Sequence, residues 1–599
     1  MIDEKSVRNK LSIIHNGDAQ QLKVIFSNSD RLIVEAPAGY GKTTTMVSRI
    51  AYLYCTGKIV NPKKVLGLTF SINAALKIKR DISSKLPDLI GGKNNPIDVS
   101  EKVTVTNYHG FCKQILRKYG YLENPILKKN INLFRAVGES ELNKDSQIVK
   151  QLTEEDKNYL LEIEEKIKST ELPERREIEH YLSIVYYYLL PHEIITHTAE
   201  ILITLQLFSK HENIRKFYNE YYSLIIVDEF QDTNCISWEL LKTIIGNSTQ
   251  LLFLGDSLQR IYGFIGAIPN IMNLATKEFR MEEIPLTKNY RFMNNKEMLK
   301  LDNNIRENAR KKFLLSPLDT ANLPAIFTSK HEDESEAISL LINRILIEDK
   351  NSKIALLFRG RGKDVEITQS YLDDAGENYF NGMFTDEDDE YIEFHRYCQE
   401  KLIREFGNRK VITTRLLNTF CNDIKTHYYD RKSESIKSLL ILLNAFIKKI
   451  EIDYKDLLPE EKYEILLDAF ENRQLKQAME YVNSNIILST VHGAKGLEWD
   501  YVIIADLERW SFPNFATCGI CDNRFNNGIQ KCYIPDQMSD ILLNKLMEEL
   551  SVFYVAITRA RKQVYVTASQ TRYNSYGQIK TSCFSCMATL RGIKLVDCT

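Results

Sequence analysis

Two short segments of this 599-residue chain combine residue types that phosphate chemistry needs. The first is Ala36-Pro-Ala-Gly-Tyr-Gly-Lys-Thr43, between a candidate strand Arg31–Ala36 and a candidate helix Lys42–Tyr54. In a strand–turn–helix of this kind, backbone N–H groups and the helix N-terminus face an anion. Gly39 and Gly41 permit close backbone approach. Lys42 supplies a point charge for β/γ-phosphates, and Thr43 a hydroxyl for Mg²⁺. The strict G-x-x-x-x-G-K-[ST] pattern fails at its first position, which is Ala36. The second segment is Leu224-Ile-Ile-Val-Asp-Glu-Phe-Gln-Asp-Thr233. Its apolar run delivers Asp228 and Glu229 to the C-terminal end of a strand, where open α/β sheets bind ligands. Asp228 can hold Mg²⁺ through water, and Glu229 can orient and deprotonate an attacking water. A strand-end acid pair alone is a weak signal. With Lys42 and Thr43 it describes a hydrolytic nucleotide site.

Such side chains need a rigid sheet to hold them. Short runs rich in Val, Ile and Leu predict strands at Arg31–Ala36, Lys64–Phe70, Val103–Thr106, Ser223–Val227 and Gln250–Leu254. A second set is predicted at Ala325–Thr328, Lys353–Phe358, Asn485–Thr490, Tyr501–Ala505 and Gln563–Val566. Most lack strict alternation, as strands buried on both faces of a parallel sheet do. The expected fold class is α/β, with two open parallel-sheet units. Residues 112–215 and 386–482 lack convincing strands, are rich in Lys, Glu, Leu and Tyr, and read as helical insertions. The acidic run Asp386-Glu-Asp-Asp-Glu390 reads as the solvated first turn of a helix over Tyr391–Lys401 rather than as a metal site.

Composition narrows the class further. Hydrophobic residues are 44% and charged residues 27%, which excludes a wholly disordered chain, a collagen-like fibre and a small disulfide scaffold. No apolar run is long enough to span a bilayer, and the N-terminus shows no signal-peptide core, so a cytoplasmic protein without membrane contact is expected. Eleven scattered cysteines fit reduced thiols. The net charge of −1 leaves nucleic acid open as a partner, because a neutral total can hide a basic channel.

The string Asp228-Glu-Phe-Gln-Asp-Thr233 resembles the signature of superfamily 1 helicases of the UvrD/Rep/PcrA group, and further motifs follow in that family's order. Gln20 resembles the adenine-reading Q motif, with Gln21 as the alternative reader. Thr69–Ala75 resembles motif Ia and Thr106–Phe111 motif Ib. Gly255–Ala267 resembles motif III, Asn289-Tyr-Arg291 motif IV, Thr490–Glu498 motif V and Tyr554–Ala560 motif VI. The resemblance implies two RecA-like P-loop domains. The first occupies 1–111 and 216–282 around a helical insertion at 112–215. The second occupies 283–385 and 483–599 around a shortened insertion at 386–482. It further implies that Gln259 senses the γ-phosphate, that Arg291 and Arg559 are arginine fingers, and that Tyr290 packs on adenine. Ala38, Gly39, Gly41, Lys42, Thr43, Thr44 and Glu498 would complete the nucleotide contacts, and ATP would lie in a cleft between the two domains. Phe70, Tyr108, His109, Phe264, Arg359 and His492 would contact single-stranded DNA, where bases stack on aromatics and basic groups track phosphates.

The activity so implied is ATP- and Mg²⁺-dependent translocation on single-stranded or tailed duplex DNA, with 3′→5′ polarity carried over from the family. The alternative is a DNA-sensing ATPase subunit working with a separate nuclease, as in bacterial antiviral defence. Ile265 stands where the family usually has Arg, the second insertion is short, and no RecB-type nuclease region follows motif VI. Finally, Cys518-x-x-Cys521 with Cys532 nearby, and Cys583-x-x-Cys586, have spacing that suits zinc. The competing reading is buried thiols, with Cys583 and Cys586 three apart on one face of a terminal helix. That second reading is the one expected here.

Overall fold

A computed structural model describes residues 4–59, 62–69, 75, 78, 81, 102–142, 152–261, 263, 266–314, 319–385, 388–407, 409, 411–431, 433–454, 457, 459–521, 532–535, 537–574 and 576–599. The chain forms two compact units. One comprises Met1–Lys288, His395–Phe420 and Ile450–Gln474, the other Asn289–Phe394, Cys421–Lys449 and Leu475–Thr599. The second insertion is therefore shared between the units. Its helices are Asp389–Phe406, Thr414–His427, Glu434–Asp453 and Pro459–Glu471.

The first unit is built on a six-stranded sheet. Its order is Val103–Thr106, Lys64–Leu68, Tyr222–Val227, Gln250–Gly255, Arg31–Glu35 and Glu282–Pro285, with every neighbouring pair parallel. Successive side chains of a strand point to opposite faces, and both faces here are covered. Leu32, Val34, Leu224, Ile226, Leu252 and Leu254 enter one buried cluster with Val47 and Ile50 of the helix Lys42–Cys55. Ile33, Ile225, Val227, Leu251 and Phe253 enter the other, with Phe111, Leu240 and Phe208. This is why these strands read as unbroken apolar runs. Each fully buried aliphatic side chain contributes about 1.5–3 kcal/mol relative to exposure. The first insertion is mainly helical, with helices such as Glu154–Lys168 and His197–Lys210. It also contains a short parallel pair, Arg135–Val137 with Ile194–Thr196, that the apolar pattern does not reveal.

The second unit carries a seven-stranded parallel sheet. Its order is Tyr379–Gly382, Ile486–Thr490, Ile354–Phe358, Trp499–Ile504, Ala560–Ser569, Ala321–Thr328 and Ile593–Asp597. Ile354, Leu356 and Phe358 pack with Leu488, Ile503 and the helix residues Ile338, Leu341 and Ile342. The α/β expectation with two parallel sheets holds. Three strands of these two sheets escape the sequence pattern: Glu282–Pro285, Tyr379–Gly382 and Ile593–Asp597. All three lie at sheet edges, where one face or one side needs no apolar cover. No helix of the described residues is long and apolar enough to cross a membrane.

Candidate functional site

In the first unit the functional side chains sit at the C-terminal ends of three adjacent strands. Strand Arg31–Glu35 runs into the Gly-rich turn, and Gly41 caps the helix Lys42–Cys55 in a left-handed conformation, φ +81°. Gly39 is also left-handed, φ +84°, a region most side chains avoid. Ala38, Gly39, Thr43 and Thr44 are half-buried around the turn. Lys42 Nζ lies 3.0 Å from Asp228 and also pairs with Glu229. Burial works against the Lys42 charge. Asp228 and then Glu229 outweigh it and hold the ammonium above the ordinary lysine range. Burial in turn pushes the Asp228 carboxyl up, against the pull of Lys42. Glu229 adopts a left-handed backbone, φ +53°, immediately after the strand. Non-Gly residues pay for that conformation, and such strain gathers at functional positions. The hydroxyl of Thr43 and the carboxylate of Asp228 are hard oxygen donors of the kind that suit Mg²⁺.

A hydrogen-bond chain continues from this pair. Gln231 Nε2 donates to Glu229 Oε2 at 2.6 Å, and the Asp256 N–H donates to Gln231 Oε1 at 3.1 Å. Gln259 Nε2 then donates to Asp256 Oδ2 at 2.9 Å. Gln231 is almost fully buried and Gly255 leaves room for it, since a Cβ there would meet Gln231 Oε1 at 2.8 Å. The acid pair at one strand end is thus wired to Gln259 at the next. Gln231 and Asp256 were missed as functional residues. Their signal was their position inside the two motifs, between the residues to which roles were assigned.

Gln20 and Gln21 separate clearly. Gln20 is half-buried, with its backbone N–H on the Asp18 cap. Gln21 is buried, its Nε2 donates to the Tyr40 carbonyl at 3.0 Å, and its Oε1 meets His15 Nδ1. His15 Nε2 in turn lies 2.8 Å from Ser48 Oγ. It is Gln21, rather than Gln20, whose side chain braces the phosphate loop.

The second unit gathers Arg291, Arg559 and Glu498. Arg291 donates to the Thr558 carbonyl and pairs with Glu498. Arg559, only 4% exposed, is held by the Val555 carbonyl at 3.0 Å, the Leu497 carbonyl at 3.3 Å and Thr558 Oγ1 at 3.0 Å. Tyr290 is half-buried beside Arg291 in the chain. Both arginines therefore converge on Thr558 and on Leu497–Glu498. Arg359 and His492 are also brought together, with Arg359 Nη1 3.3 Å from His492 Nδ1, and Arg359 Nη2 2.8 Å from Glu549.

The residues predicted to meet DNA in the first unit fare differently. Tyr108 is only 7% exposed and packs in the core that also contains Phe111. His109 is half-buried and its Nδ1 lies 3.1 Å from Glu200. Phe70, Phe264 and Ile265 lie outside the described residues. A correction concerns Cys583 and Cys586, which do not share a helix face. Cys583 precedes the bridge of Phe584 to Glu508, and Cys586 opens the short 3₁₀ turn Cys586–Thr589.

Known proteins resemble this chain over most of its length. Residues 18–280 match the UvrD/REP helicase N-terminal domain, and residues 387–571 match the UvrD-like helicase C-terminal domain. A probable DNA helicase II homolog of Mycoplasma genitalium is 25% identical, over 92% of this chain and 84% of its own length. Its counterpart in Mycoplasma pneumoniae is 26% identical, over 89% and 81%. The ATP-dependent DNA helicase PcrA of Staphylococcus epidermidis is 24% identical, over 94% and 84%. With the Lys42–Asp228–Glu229 site in one parallel-sheet unit, the Arg291–Arg559 pair in the other, and both family domains in order, the chain belongs to the UvrD-like family of ATP-hydrolysing DNA helicases.

Proposed function

We propose that this chain is an ATP- and Mg²⁺-driven translocase on single-stranded DNA that moves 3′→5′ and separates duplex strands ahead of it. The carrying observation is the hydrogen-bond chain Glu229–Gln231–Asp256–Gln259 at the phosphate site. Phosphoryl transfer to water needs positioning and neutralisation of charge more than covalent chemistry. Lys42 would hold the phosphates, Thr43 and Asp228 would offer oxygens to Mg²⁺, and Glu229 would take a proton from the attacking water. Gln259, tied through Asp256 and Gln231 to that base, reports the presence of the γ-phosphate. Arg291 and Arg559 of the second unit neutralise the charge that grows on the transferred group. A reaction that uses these side chains changes what each of them holds as nucleotide turns over. That is the requirement for motion coupled to hydrolysis.

The experiment is strand displacement by the purified chain on duplexes carrying a 3′ or a 5′ single-stranded tail. Displacement with ATP and Mg²⁺ from the 3′-tailed substrate alone is the expected result. Displacement only from the 5′ tail would reverse the polarity. DNA-stimulated hydrolysis without displacement of either substrate would favour a DNA-sensing ATPase that needs a partner chain.

A further inference from the structure

Five cysteines of the second unit lie near one another. Cys518 and Cys521 end the short helix Phe515–Cys518 and the turn after it, and the Cys521 N–H donates to the Cys518 carbonyl at 3.4 Å. Cys532 returns from a separate stretch, and its N–H donates to the Phe584 carbonyl at 3.0 Å. Its own carbonyl accepts from Thr589 Oγ1 at 2.5 Å, and the same hydroxyl reaches the Cys586 carbonyl at 3.2 Å. Cys583 joins through its carbonyl, which accepts from the Arg509 N–H at 3.1 Å. These bonds fasten Cys532 to the segment Phe584–Thr589, and Arg509 to Cys583. Cys518, Cys521, Cys532 and Cys586 line a single small cavity with Arg509, and the thiols of Cys532 and Cys583 are hydrogen-bonded to one another.

Packing alone does not account for this group. Cys518, Cys583 and Cys586 are 3%, 7% and 6% exposed, and none of the eleven cysteines is disulfide-bonded. Sulfurs offer each other only weak hydrogen bonds, and an apolar side chain would fill the space as well. Two thiols spaced C-x-x-C, joined by thiols from a distant part of the chain, are the donor set for which a tetrahedral divalent ion of borderline softness is suited. The ten residues between Cys521 and Cys532, Asp-Asn-Arg-Phe-Asn-Asn-Gly-Ile-Gln-Lys, are mostly polar in sequence. Arg509 beside the cavity offsets the negative charge a tetrathiolate would carry.

We infer that this cluster is a structural zinc site. Cys518, Cys521 and Cys586 are three ligands, and one member of the Cys532–Cys583 pair is the fourth. Zinc here would pin the loop that follows Glu508 and the segment Ser582–Thr589 to the helix Asp540–Ile557, whose Leu546 lines the same cavity and whose C-terminal end leads into Arg559. Nothing in the proposed helicase activity requires the site, so its test stands apart from that reading.

The test is the metal content of the full-length protein purified under reducing conditions without added chelator. One zinc per chain is expected, released on titration of the thiols with a mercurial reagent. Cys518→Ser and Cys586→Ser should each lose it. Of Cys532→Ser and Cys583→Ser, one should lose it and the other keep it. Cys55→Ser and Cys398→Ser, which alter buried thiols elsewhere, should keep the full complement. Where a serine variant fails to fold, cobalt reconstitution of the wild-type chain serves instead, and a thiolate-to-cobalt charge-transfer band with tetrahedral d–d bands is expected. Zinc near zero with no cobalt tetrathiolate spectrum would overturn the assignment. So would retention of zinc by both Cys532→Ser and Cys583→Ser, recovery of Cys532 and Cys583 as a disulfide, or an iron–sulfur chromophore in the protein as purified.

Discussion

The two units hold the cations proposed to meet phosphate in opposite ways. In the first, Lys42 sits between two carboxylates at strand ends, so its charge is balanced by the groups that would also hold Mg²⁺ and activate water. In the second, Arg559 is held by two backbone carbonyls and a hydroxyl, and Arg291 by one carbonyl and one carboxylate. Lysine here is a point charge whose position is set by acids. The guanidinium is a planar fork whose direction is set by backbone geometry. On the proposed reading, the first arrangement would build a reaction centre and the second would present charge in a fixed orientation.

The comparison can be broken at either end. Lys42→Ala should abolish hydrolysis, a loss beyond on the order of 10³-fold, because it removes the phosphate cation and leaves Asp228 and Glu229 facing each other. Steady-state turnover with a folding check by circular dichroism reads this, and near-normal turnover would sink the assignment. Arg291→Ala should lower turnover by about 10³-fold while leaving nucleotide affinity within a few-fold, since an arginine finger acts on transition-state charge. Arg559→Ala should lose as much turnover and also lower the melting temperature, because the guanidinium is buried and its acceptors lose their donor. Equal stability of the two variants would contradict the distinction between them.

The hydrogen-bond chain gives a smaller effect. Gln231→Ala should cut turnover roughly 10- to 100-fold with little change in KM, as a residue that positions Glu229 and Asp256 without touching nucleotide would. A rise in KM with unchanged turnover would place Gln231 in binding instead.

The smallest effect sharpens the comparison by removing a carboxylate that has no cation. Glu139 is buried, and its pKa is pushed up to about 7, first by desolvation and then by Glu164. A raised carboxyl stabilises the fold below its unfolded value of 4.5 and loses that contribution as pH rises through about 7. Glu139→Gln keeps an acceptor for the Tyr181 hydroxyl, which donates to Glu139 at 2.6 Å. The variant should gain stability over wild type at pH 8, on the order of 2 kcal/mol, with little gain near pH 4.5. Urea unfolding at both values checks the sign.

The sequence made some of this legible for identifiable reasons. Leu224–Val227 and Ile354–Phe358 are central strands, covered on both faces, so burial alone dictates their composition. Glu282–Pro285 is an edge strand carrying two acids and a proline, and no pattern of apolar residues could reveal it. Lys42, Asp228 and Glu229 were legible because each lies next to a glycine turn or a strand end whose geometry follows from local sequence. Gln21 was not separable from Gln20, because adjacent helix residues point about 100° apart and the choice depends on where Tyr40 lies. The burial of Tyr108 was hidden for the same kind of reason, since residue type does not say which helix face meets the core. The grouping of Cys518, Cys532 and Cys586 is a property of long-range folding, and spacing could show only its C-x-x-C halves.

The most direct measurement is ATP hydrolysis by the purified chain with and without single-stranded DNA, at low and at moderate salt. If the chain is a DNA-driven motor, single-stranded DNA stimulates hydrolysis strongly, and the stimulation weakens with salt as phosphate contacts are screened. Hydrolysis indifferent to DNA at both salts would contradict the coupling of the nucleotide site to a DNA-bound state.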